Sequence, residues 1–455
     1  MKLRNLLYAT MIACAFASCS NDDDPIDNGG GQGTPVAKDE AVLVVNMAGV
    51  QTRAAVTING TNENTINSSK VVVFNGTGDG AKVEAVGEVN QSEATTNKIT
   101  LTPGNKMVVV LANYKEAVTV GTTYSVLKAK TIDFASFEGV DGYLTMNSAV
   151  YTVSLAAGKT NYLGYKTPGT VPATEEYLKD ANEKPVYLYH NVAKVILNNV
   201  AVATSTVESQ YPNPQLDVKE VFILHAHKKS KLFTEAAWGS TLVADNYLNS
   251  IGTAETYATW AGKVTAENKV FNYLTNSESY AQDGYNTKTY TKLSLGWNTG
   301  IANGSIGEGA ALEATWGADN KTVFYTYENT NIAAADIYTL LVVKGDFSYD
   351  GYKEGVATRM KDENRYYSAA VGITGFTNGY GIPSNVEGLD AALRTPNADN
   401  NYKGVIRNLQ YNVQMTVKGP GYTTPFGPKG GDDTFLLVNA KVVEFGSVDQ
   451  DVDFE

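Results

Sequence analysis

Residues 434–445 have the sequence TFLLVNAKVVEF, in which apolar side chains recur at every second position. The even-numbered apolar row consists of Leu436, Val438, Ala440 and Val442. A period of two residues is typical of a β-strand with one buried face, because successive side chains of a strand point to opposite sides. The segment 434–455 is therefore predicted to be a strand that enters a hydrophobic groove, either in its own chain or in another one.

Similar short runs occur throughout the chain, rich in Val, Ile, Tyr and Thr and bounded by Gly, Asn and Asp. They predict an all-β fold. The runs that carry this prediction are Ala41–Met47, Lys70–Phe74, Met107–Ala112, Val150–Ser154, Val186–His190, Val192–Val200, Val218–Leu224, Val323–Tyr327, Tyr338–Val343, Tyr366–Val371, Val405–Val417, Phe435–Phe445 and Val448–Phe454. Helical patterning is best at Thr174–Asn182, where a short helix is predicted.

The length of 455 residues suits two large domains, at roughly 150 residues per domain with room for insertions. We place the boundary near residue 185, which gives an N-terminal β-sandwich over 41–185 and a C-terminal β-sandwich over 186–455. The stretch 239–320 is rich in Tyr, Gly and Asn with only brief apolar runs, so it is interpreted as long loop insertions in the second domain.

Composition excludes several classes of function. The net charge of −12 makes nucleic acid an unfavourable partner. Three histidines and two cysteines leave few groups for imidazole, thiol or soft-metal chemistry, and no nucleophile–base–acid set is recognisable. The pair His225 and His227 lacks an accompanying Cys or carboxylate, so we predict no metal, no cofactor and no enzymatic activity.

The N-terminus has the features of an export signal. Lys2 and Arg4 precede an apolar run over 6–16 that is too short to span a membrane, so residues 1–18 are predicted to be a signal peptide. The run ends in small residues before Cys19, which resembles a bacterial lipobox and predicts a lipid anchor on Cys19 in the outer membrane. Residues 19–40, acidic and then rich in Gly, are predicted to be a flexible tether.

A protease-sensitive position follows the first predicted strand. The segment between Met47 and Val56 is interpreted as an exposed linker, and it contains Arg53 followed by Ala54. A trypsin-like protease requires an accessible and extended Arg, and this linker would supply one. Cleavage between Arg53 and Ala54 would separate residues 41–53 from the remainder of the chain.

Several motifs in a fixed order resemble the Bacteroidales major fimbrillins, the type V pilins. They are the lipobox Cys19, the first strand followed by Arg53, the strand Met107–Asn113, the segment Val323–Asn329, and Arg407-Asn408-x-x-Tyr411-x-Val413 before the turn Gly419-Pro420. Phe445 occupies a place where many members of that family carry Trp.

This resemblance implies two transthyretin-like β-sandwiches in a lipoprotein displayed on the cell surface. It further implies that an Arg-specific protease cuts after Arg53 and releases strand 41–53, which opens a groove in the N-terminal domain. The C-terminal strand of a neighbouring subunit would then fill that groove through Leu436, Val438, Ala440 and Val442. The expected partners are copies of the same chain, accessory fimbrial subunits and the maturation protease.

Two alternatives remain open at this stage. The region 239–320 is compatible with a tip or adhesin component that contacts host or bacterial surface receptors. A monomeric glycan-binding surface lipoprotein is the other, because aromatic side chains in this region could form a sugar-stacking platform. These side chains are Tyr247, Tyr257, Trp260, Tyr273, Tyr280, Tyr285 and Tyr290.

Overall fold

The structure is a computed structural model of the chain. It describes residues 36–48, 66–90, 95–96, 98–133, 144–178, 185–205, 210–224, 226–227, 229–233, 247–248, 271–272, 277–278, 305–311, 322–329, 339–372, 405–422 and 436–444. The described residues from Val36 onwards form one compact unit.

The regular secondary structure of the described residues is β-strand, apart from one short helix, α1 (Tyr124–Lys128). The strands of the N-terminal part are β1 (Ala41–Val45), β2 (Met47–Ala48), β3 (Ser69–Asn75), β4 (Lys82–Asn90), β5 (Thr95–Thr96), β6 (Ile99–Leu101), β7 (Gly104–Ala112), β8 (Thr131–Asp133), β9 (Met146–Asn147), β10 (Tyr151–Leu155), β11 (Thr160–Leu163), β12 (Glu175–Leu178), β13 (Val186–Tyr187) and β14 (Tyr189–His190).

The remaining strands belong to the C-terminal part. They are β15 (Ala193–Val202), β16 (Gln215–Leu224), β17 (Ala226–His227), β18 (Lys229–Lys231), β19 (Tyr247–Leu248), β20 (Phe271–Asn272), β21 (Ser277–Glu278), β22 (Ser305–Ile306), β23 (Thr322–Thr326), β24 (Leu340–Lys353), β25 (Val356–Ala370), β26 (Leu409–Val417) and β27 (Leu436–Glu444).

Two sheets form the N-terminal part. The first has the strand order β12-β11-β1-β6, and the second has the order β14-β9-β7-β3-β4-β5, with β10 also paired to β7. Buried apolar side chains of β1, β3 and β7 share one hydrophobic cluster, so the two sheets pack face to face. The strands β3 and β7 are rich in Val, and the side chains on one of their two faces contribute to this cluster.

Two further four-stranded sheets form the C-terminal part. Their strand orders are β23-β15-β26-β27 and β22-β16-β24-β25. Alternate residues of β15 and β26 pack against those of β16 and β24 in a second, larger cluster. That cluster also contains Val72, Phe74 and Val109 from the other faces of β3 and β7, so one continuous apolar core joins the two parts.

The all-β prediction is confirmed, whereas the predicted helix at Thr174–Asn182 is wrong. Residues Glu175–Leu178 form the strand β12, which pairs in parallel with β11. The ring of Tyr177 stacks on that of Tyr162 with centroids 5.0 Å apart, so packing outweighs the weak local preference of this short segment.

The boundary near residue 185 and the division into two tandem sandwiches stay predictions. Strands β13 and β14 follow residue 185 and pair with β2 and β9 of the N-terminal part, and the first C-terminal strand begins at Ala193. A search of the described residues for a helix long and apolar enough to cross a membrane finds none.

Candidate functional site: the leader strand and the tail strand

The strand β1 lies in the interior of its sheet, between β11 and β6. It runs parallel to β11, where Val42 lies opposite Thr160 and Val44 lies opposite Tyr162. It runs antiparallel to β6 on its other side. We call residues 41–48, which comprise β1 and β2, the leader strand.

Both faces of the leader strand are buried. Ala41, Leu43 and Val45 are 0% exposed and lie in the cluster between the two N-terminal sheets. On the opposite face, Val42 is 7% exposed and Val44 is 8% exposed. Burial of a large apolar side chain contributes about 1.5–3 kcal/mol, so the leader strand stabilises the sandwich by on the order of 10 kcal/mol before entropy costs.

The backbone of the leader strand is held beyond β1 by Asn46. Its N–H donates to the carbonyl of Leu163 at 2.9 Å, and its carbonyl accepts from the N–H of Val186 at 2.9 Å. The Asn46 side chain donates to the carbonyl of Gly164 at 3.1 Å. The next residues form β2, which pairs in parallel with β13. The leader strand is therefore attached to a third strand, β13, in addition to β11 and β6.

Asn161 fixes the first half of β1 from within the structure. This side chain is fully buried, and its amide donates to the carbonyl of Val42 at 3.2 Å. The same side chain accepts from the N–H of Ala156 at 2.8 Å. A buried amide with partners on both sides makes the position of β1 specific as well as favourable.

A tyrosine row lines the outer face of this sheet beside the leader strand. The ring of Tyr162 stacks on Tyr177, and its centroid lies 5.3 Å from that of Tyr165 in an edge-to-face arrangement. The Tyr177 hydroxyl donates to Glu175 Oε2 at 3.0 Å. Burial and, secondarily, the hydrogen bond to Glu175 raise the pKa of Tyr177 to about 12, so this hydroxyl stays protonated at neutral pH and donates to the carboxylate.

This tyrosine row was not predicted from the sequence. The available signal was the alternation of Thr160 with Tyr162 and of Glu175 with Tyr177, which was hidden by the erroneous helix assignment. On the same strand, Glu176 forms an ion pair with Lys159 at 2.8 Å.

The predicted lipidation and cleavage sites, Cys19, Arg53 and Ala54, lie outside the described residues, and both sites stay predictions. The described part of the leader ends at Ala48, five positions before Arg53 in the sequence. A cut after Arg53 would leave the leader strand attached to the subunit through non-covalent contacts alone.

The predicted donor strand is present as β27, which we call the tail strand. It pairs antiparallel with β26 along its whole length and is the last strand of its sheet in the described part of the chain. Its predicted donor residues Leu436, Val438, Ala440 and Val442 lie opposite Val417, Met415, Val413 and Tyr411 of β26. Residues 445–455 lie outside the described residues.

The leader strand and the tail strand belong to different sheets, and the structure does not bring them together. Each is paired within its own part of the chain. The role of the tail strand as a donor therefore stays a prediction.

Two of the sequence motifs meet in a buried polar cluster. Arg407 forms an ion pair with Glu328, in which Nη2 of Arg407 lies 2.6 Å from Oε1 of Glu328. Arg407 also donates to Ser230 Oγ at 2.7 Å and to the carbonyl of Lys231 at 2.9 Å. The side chains of Arg407 and Glu328 are 1% and 2% exposed, so the pair is enclosed in the protein.

No metal centre emerges from the described part of the chain, which contains no cluster of three or more His, Cys, Asp or Glu side chains suited to a metal ion. His225 of the sequence motif lies outside the described residues, and only the backbone of His227 is described.

The fold and this site define an all-β protein of stacked sheets with an N-terminal strand in the interior of one of them. In comparisons with known proteins, residues 41–190 match the family described as major fimbrial subunit protein (FimA). This range covers the sheets around the leader strand.

Two curated relatives are fimbrial proteins by name. The chain is 28% identical over 261 residues to the putative fimbrium tip subunit Fim1C of Parabacteroides distasonis, covering 55% of this chain and 65% of the relative. It is 26% identical over 365 residues to the major fimbrium subunit FimA type-5 of Porphyromonas gingivalis, covering 76% of this chain and 74% of the relative. This chain thus spans slightly less than two thirds of the Fim1C relative.

Two solved structures share the fold. A putative cell adhesion protein from Parabacteroides distasonis has a TM-score of 0.54 at 21% identity, covering 90% of this chain and 100% of its own. A fimbrilin from Porphyromonas gingivalis has a TM-score of 0.53 at 16% identity, covering 90% of this chain and 99% of its own. The resemblance of this chain to the Bacteroidales fimbrillins is confirmed, and with it the prediction that the chain is not an enzyme.

Proposed function

We propose that this chain is a structural subunit of cell-surface fimbriae that polymerises by strand exchange. It is exported as a lipoprotein anchored through Cys19 and cut after Arg53 by an Arg-specific protease. The leader strand then leaves, and the tail strand of a second copy takes its place. The family match at 41–190 and the relatives named as fimbrium subunits support the fimbrial assignment.

The observation that carries this proposal is the burial of a strand that a single cut would detach. The leader strand precedes Arg53 in the sequence, yet its apolar side chains fill the core between the two N-terminal sheets. Departure of β1 would expose this core together with the hydrogen-bonding edges of β11 and β6. Exposed edges and apolar surface of this kind favour pairing with another strand.

The cleavage step is tested with the variant Arg53→Ala. We expect this precursor to reach the cell surface and to form no polymer, since the leader strand stays covalently attached. Electrophoresis without boiling measures the result as a ladder or a single band. Arg359→Ala serves as a matched control, because Arg359 is a partly exposed residue of β25, which belongs to a different sheet from the leader strand. An undiminished ladder from Arg53→Ala would refute the mechanism.

The lipid anchor is tested separately with Cys19→Ser. The variant should lose incorporation of labelled palmitate and should no longer fractionate with the outer membrane. Retention of both properties would contradict the lipoprotein assignment while leaving the strand exchange intact.

A tip position is the second candidate, favoured by the match to a putative tip subunit. A shaft subunit and a tip subunit differ in where they lie along the fimbria. Immunogold labelling along the whole filament supports the shaft, and labelling confined to filament ends supports the tip.

A monomeric glycan binder would give a single band without boiling and retention on a polysaccharide gel. The aromatic side chains on which that alternative rests are not described by the structure.

A further inference from the structure

The space that β1 fills between β11 and β6, called the slot below, is enclosed on both faces of the strand. Both faces therefore restrict which strand can replace β1. A strand with one apolar face would satisfy Ala41, Leu43 and Val45 on the inner side. It would leave the positions of Val42 and Val44 on the outer side unaccounted for, although both are more than nine-tenths buried. The order of side-chain sizes on both faces therefore restricts how a replacement strand can enter.

Within β1, the inner face contains, in chain order, a small, a large and an intermediate side chain: Ala41, Leu43 and Val45; Met47 of β2 continues the same cluster beyond β1. The first part of the tail row contains the same three residue types as Leu436, Val438 and Ala440. In the reverse direction, Ala440 replaces Ala41, Val438 replaces Leu43 and Leu436 replaces Val45. Each side chain then differs from the one it replaces by no more than one methylene group, and the summed volume of the three side chains is conserved.

Entry in the same direction as β1 fits less well. Leu436 would then occupy the place of Ala41, and Ala440 would occupy the place of Val45. The first exchange overfills a position that is 0% exposed, and the second leaves a cavity. Both errors destabilise a close-packed core.

The outer face agrees with the reverse direction. Leu437 then occupies the place of Val44, beside Tyr162 of the tyrosine row. Asn439 occupies the place of Val42, which lies opposite Thr160 of β11 and Thr100 of β6. An apolar side chain is thus placed beside an aromatic ring, and a polar one between two hydroxyl-bearing residues.

A strand that enters the slot in the direction opposite to β1 still finds one parallel and one antiparallel neighbour. The strand β1 has one parallel neighbour and one antiparallel neighbour. A reversed strand becomes antiparallel to β11 and parallel to β6, so the slot still has one neighbour of each kind. Direction is consequently decided by side chains and not by the backbone.

The end of the chain matches the slot less well than the tail strand. Its corresponding row is Val448, Gln450, Val452 and Phe454. Gln450 would bring an amide into an apolar face, which is unfavourable in the absence of a hydrogen-bonding partner.

We propose, building on the strand exchange proposed above, that the tail of a second copy enters the slot antiparallel to the direction of β1. Leu436, Val438 and Ala440 occupy the inner positions of Val45, Leu43 and Ala41. Leu437 lies beside Tyr162, and Asn439 lies between Thr160 and Thr100. The outer face of the slot is thereby a specificity determinant for the partner strand.

Disulfide trapping between two copies tests the direction. Both cysteines of the chain precede Arg53, so the mature protein offers a background without cysteine. Copies with Thr160→Cys or Tyr162→Cys are mixed, before protease treatment, with copies that carry Leu437→Cys, Asn439→Cys, Lys441→Cys or Val452→Cys. Facing residues of neighbouring strands lie within the distance that a disulfide spans.

The expected cross-links are Leu437→Cys with Tyr162→Cys and Asn439→Cys with Thr160→Cys. Cross-links of Leu437→Cys with Thr160→Cys and of Asn439→Cys with Tyr162→Cys would establish the same direction as β1 and overturn the inference. Cross-links through Lys441→Cys or Val452→Cys would establish another register and overturn it as well. In all of these cases the ladder in electrophoresis without boiling would persist, so the results would not contradict strand exchange itself. A parent protein without a ladder would refute strand exchange and this inference together.

A second variant gives an independent measure that does not depend on cysteine chemistry. Ala440→Leu overfills the place of Ala41 in the reverse direction, and we expect polymer formation to slow by about tenfold or more. If the tail instead entered in the same direction as β1, residue 440 would occupy the place of Val45. The added volume would then fill a cavity, and polymerisation would proceed at least as fast as in the parent. Thermal unfolding by circular dichroism checks that the variant is folded. Unchanged or faster polymerisation by a folded Ala440→Leu variant would overturn the inference.

Discussion

Gly164 is a single residue on which the docking of the leader strand depends. Its backbone has φ = +81°, and a Cβ at this position would lie 2.5 Å from the carbonyl oxygen of Asn46 and 3.1 Å from the N–H nitrogen of Val186. These two atoms hydrogen-bond to each other where the leader strand passes from β1 to β2. Only a residue without Cβ permits this close approach.

The substitution Gly164→Ala is therefore expected to destabilise the precursor by about 2 kcal/mol. The matched control is Gly76→Ala, because Gly76 has φ = +85° with no atom within 4 Å of an added Cβ. Urea unfolding monitored by circular dichroism measures both variants. An equal loss in the two would show that the effect comes from the positive φ alone and not from contact with the leader strand.

Asp346 is a buried carboxylate that makes stability depend on pH. It accepts from Lys219 at 2.6 Å, from Lys361 at 2.9 Å and from the N–H of Asn364 at 2.9 Å. Burial by itself raises the pKa of Asp346, but these hydrogen bonds outweigh burial and lower it to about 2. The ordinary value of an unfolded Asp is about 3.9.

A carboxyl group with a lowered folded-state pKa stabilises the fold above its unfolded pKa. That stabilisation disappears as the pH falls from about 4 to about 2. We expect Asp346→Asn to reduce the free energy of unfolding at pH 7 by on the order of 2 kcal/mol. The difference from the parent should shrink towards pH 2 in urea unfolding experiments. A difference that is constant over this pH range would contradict the role of the ionised carboxylate, and Asp79→Asn at an exposed turn serves as control.

At the scale of elements, the leader strand and the tail strand differ in the number of strands that hold them. Among the strands that the structure describes, β1 has two neighbours in its sheet, whereas β27 pairs with β26 alone. In the proposed exchange, the tail strand leaves an edge position with one partner for an interior position with two. The gain in backbone pairing would favour the exchange, and departure of the cut leader by diffusion would prevent its reversal.

Hydrogen exchange can follow this change in partners. In the uncleaved precursor, amides of Leu436–Glu444 should exchange faster than those of Ala41–Val45, since an edge strand opens more readily than an interior one. In the polymer, the tail amides should become as slow as those of β1 in the precursor. Mass spectrometry of peptides from 436–444 measures this, with peptides of β26 as an internal reference. Equal protection of the tail before and after assembly would contradict the exchange.

At the scale of the whole molecule, the N-terminal and C-terminal parts are joined by more than the connecting chain. The strand β18 pairs with β8 across the two parts. Arg407 and Glu328 lie beside this connection, because Arg407 donates to the carbonyl of Lys231 in β18. The N–H of His190 also donates to the side chain of Asn408 at 2.9 Å. The two parts are therefore held together by a strand pair and by buried hydrogen bonds as well as by the chain itself.

Removal of one member of the buried pair should affect the whole molecule. We expect Arg407→Met to lower the free energy of unfolding by about 3–5 kcal/mol, because Glu328 loses its charged partner inside the protein. The double variant Arg407→Met with Glu328→Met should recover most of this loss. Urea unfolding measures all three proteins, and Arg359→Met at an exposed ion pair serves as control, with a much smaller change expected. A double variant as unstable as the single one would show that other contacts of Arg407 carry the effect.

Local pattern predicted most of the strands that build the cores. The predicted runs Lys70–Phe74 and Met107–Ala112 lie within β3 and β7, and the tail prediction Phe435–Phe445 encloses β27 within one residue at each end. Strand β25 was predicted only from Tyr366 onwards, because its first half is charged and extends into solvent as part of a hairpin. The segment Glu175–Leu178 was wrongly assigned to a helix, since four residues carry too little local signal to reveal pairing with a distant strand.

The sequence by itself determined that this chain is built from β-strands, that its first strand precedes a candidate cleavage site, and that its tail has one apolar row. These are local properties, because the alternation of side chains along a strand is set within a few residues. Only the tertiary structure decided that β1 is enclosed on both faces, held by an amide of Asn161 that lies 119 residues away, and flanked by the tyrosine row. Such contacts join segments that are far apart in the chain, so their partners are chosen by the packing of the whole core and not by any single stretch of residues.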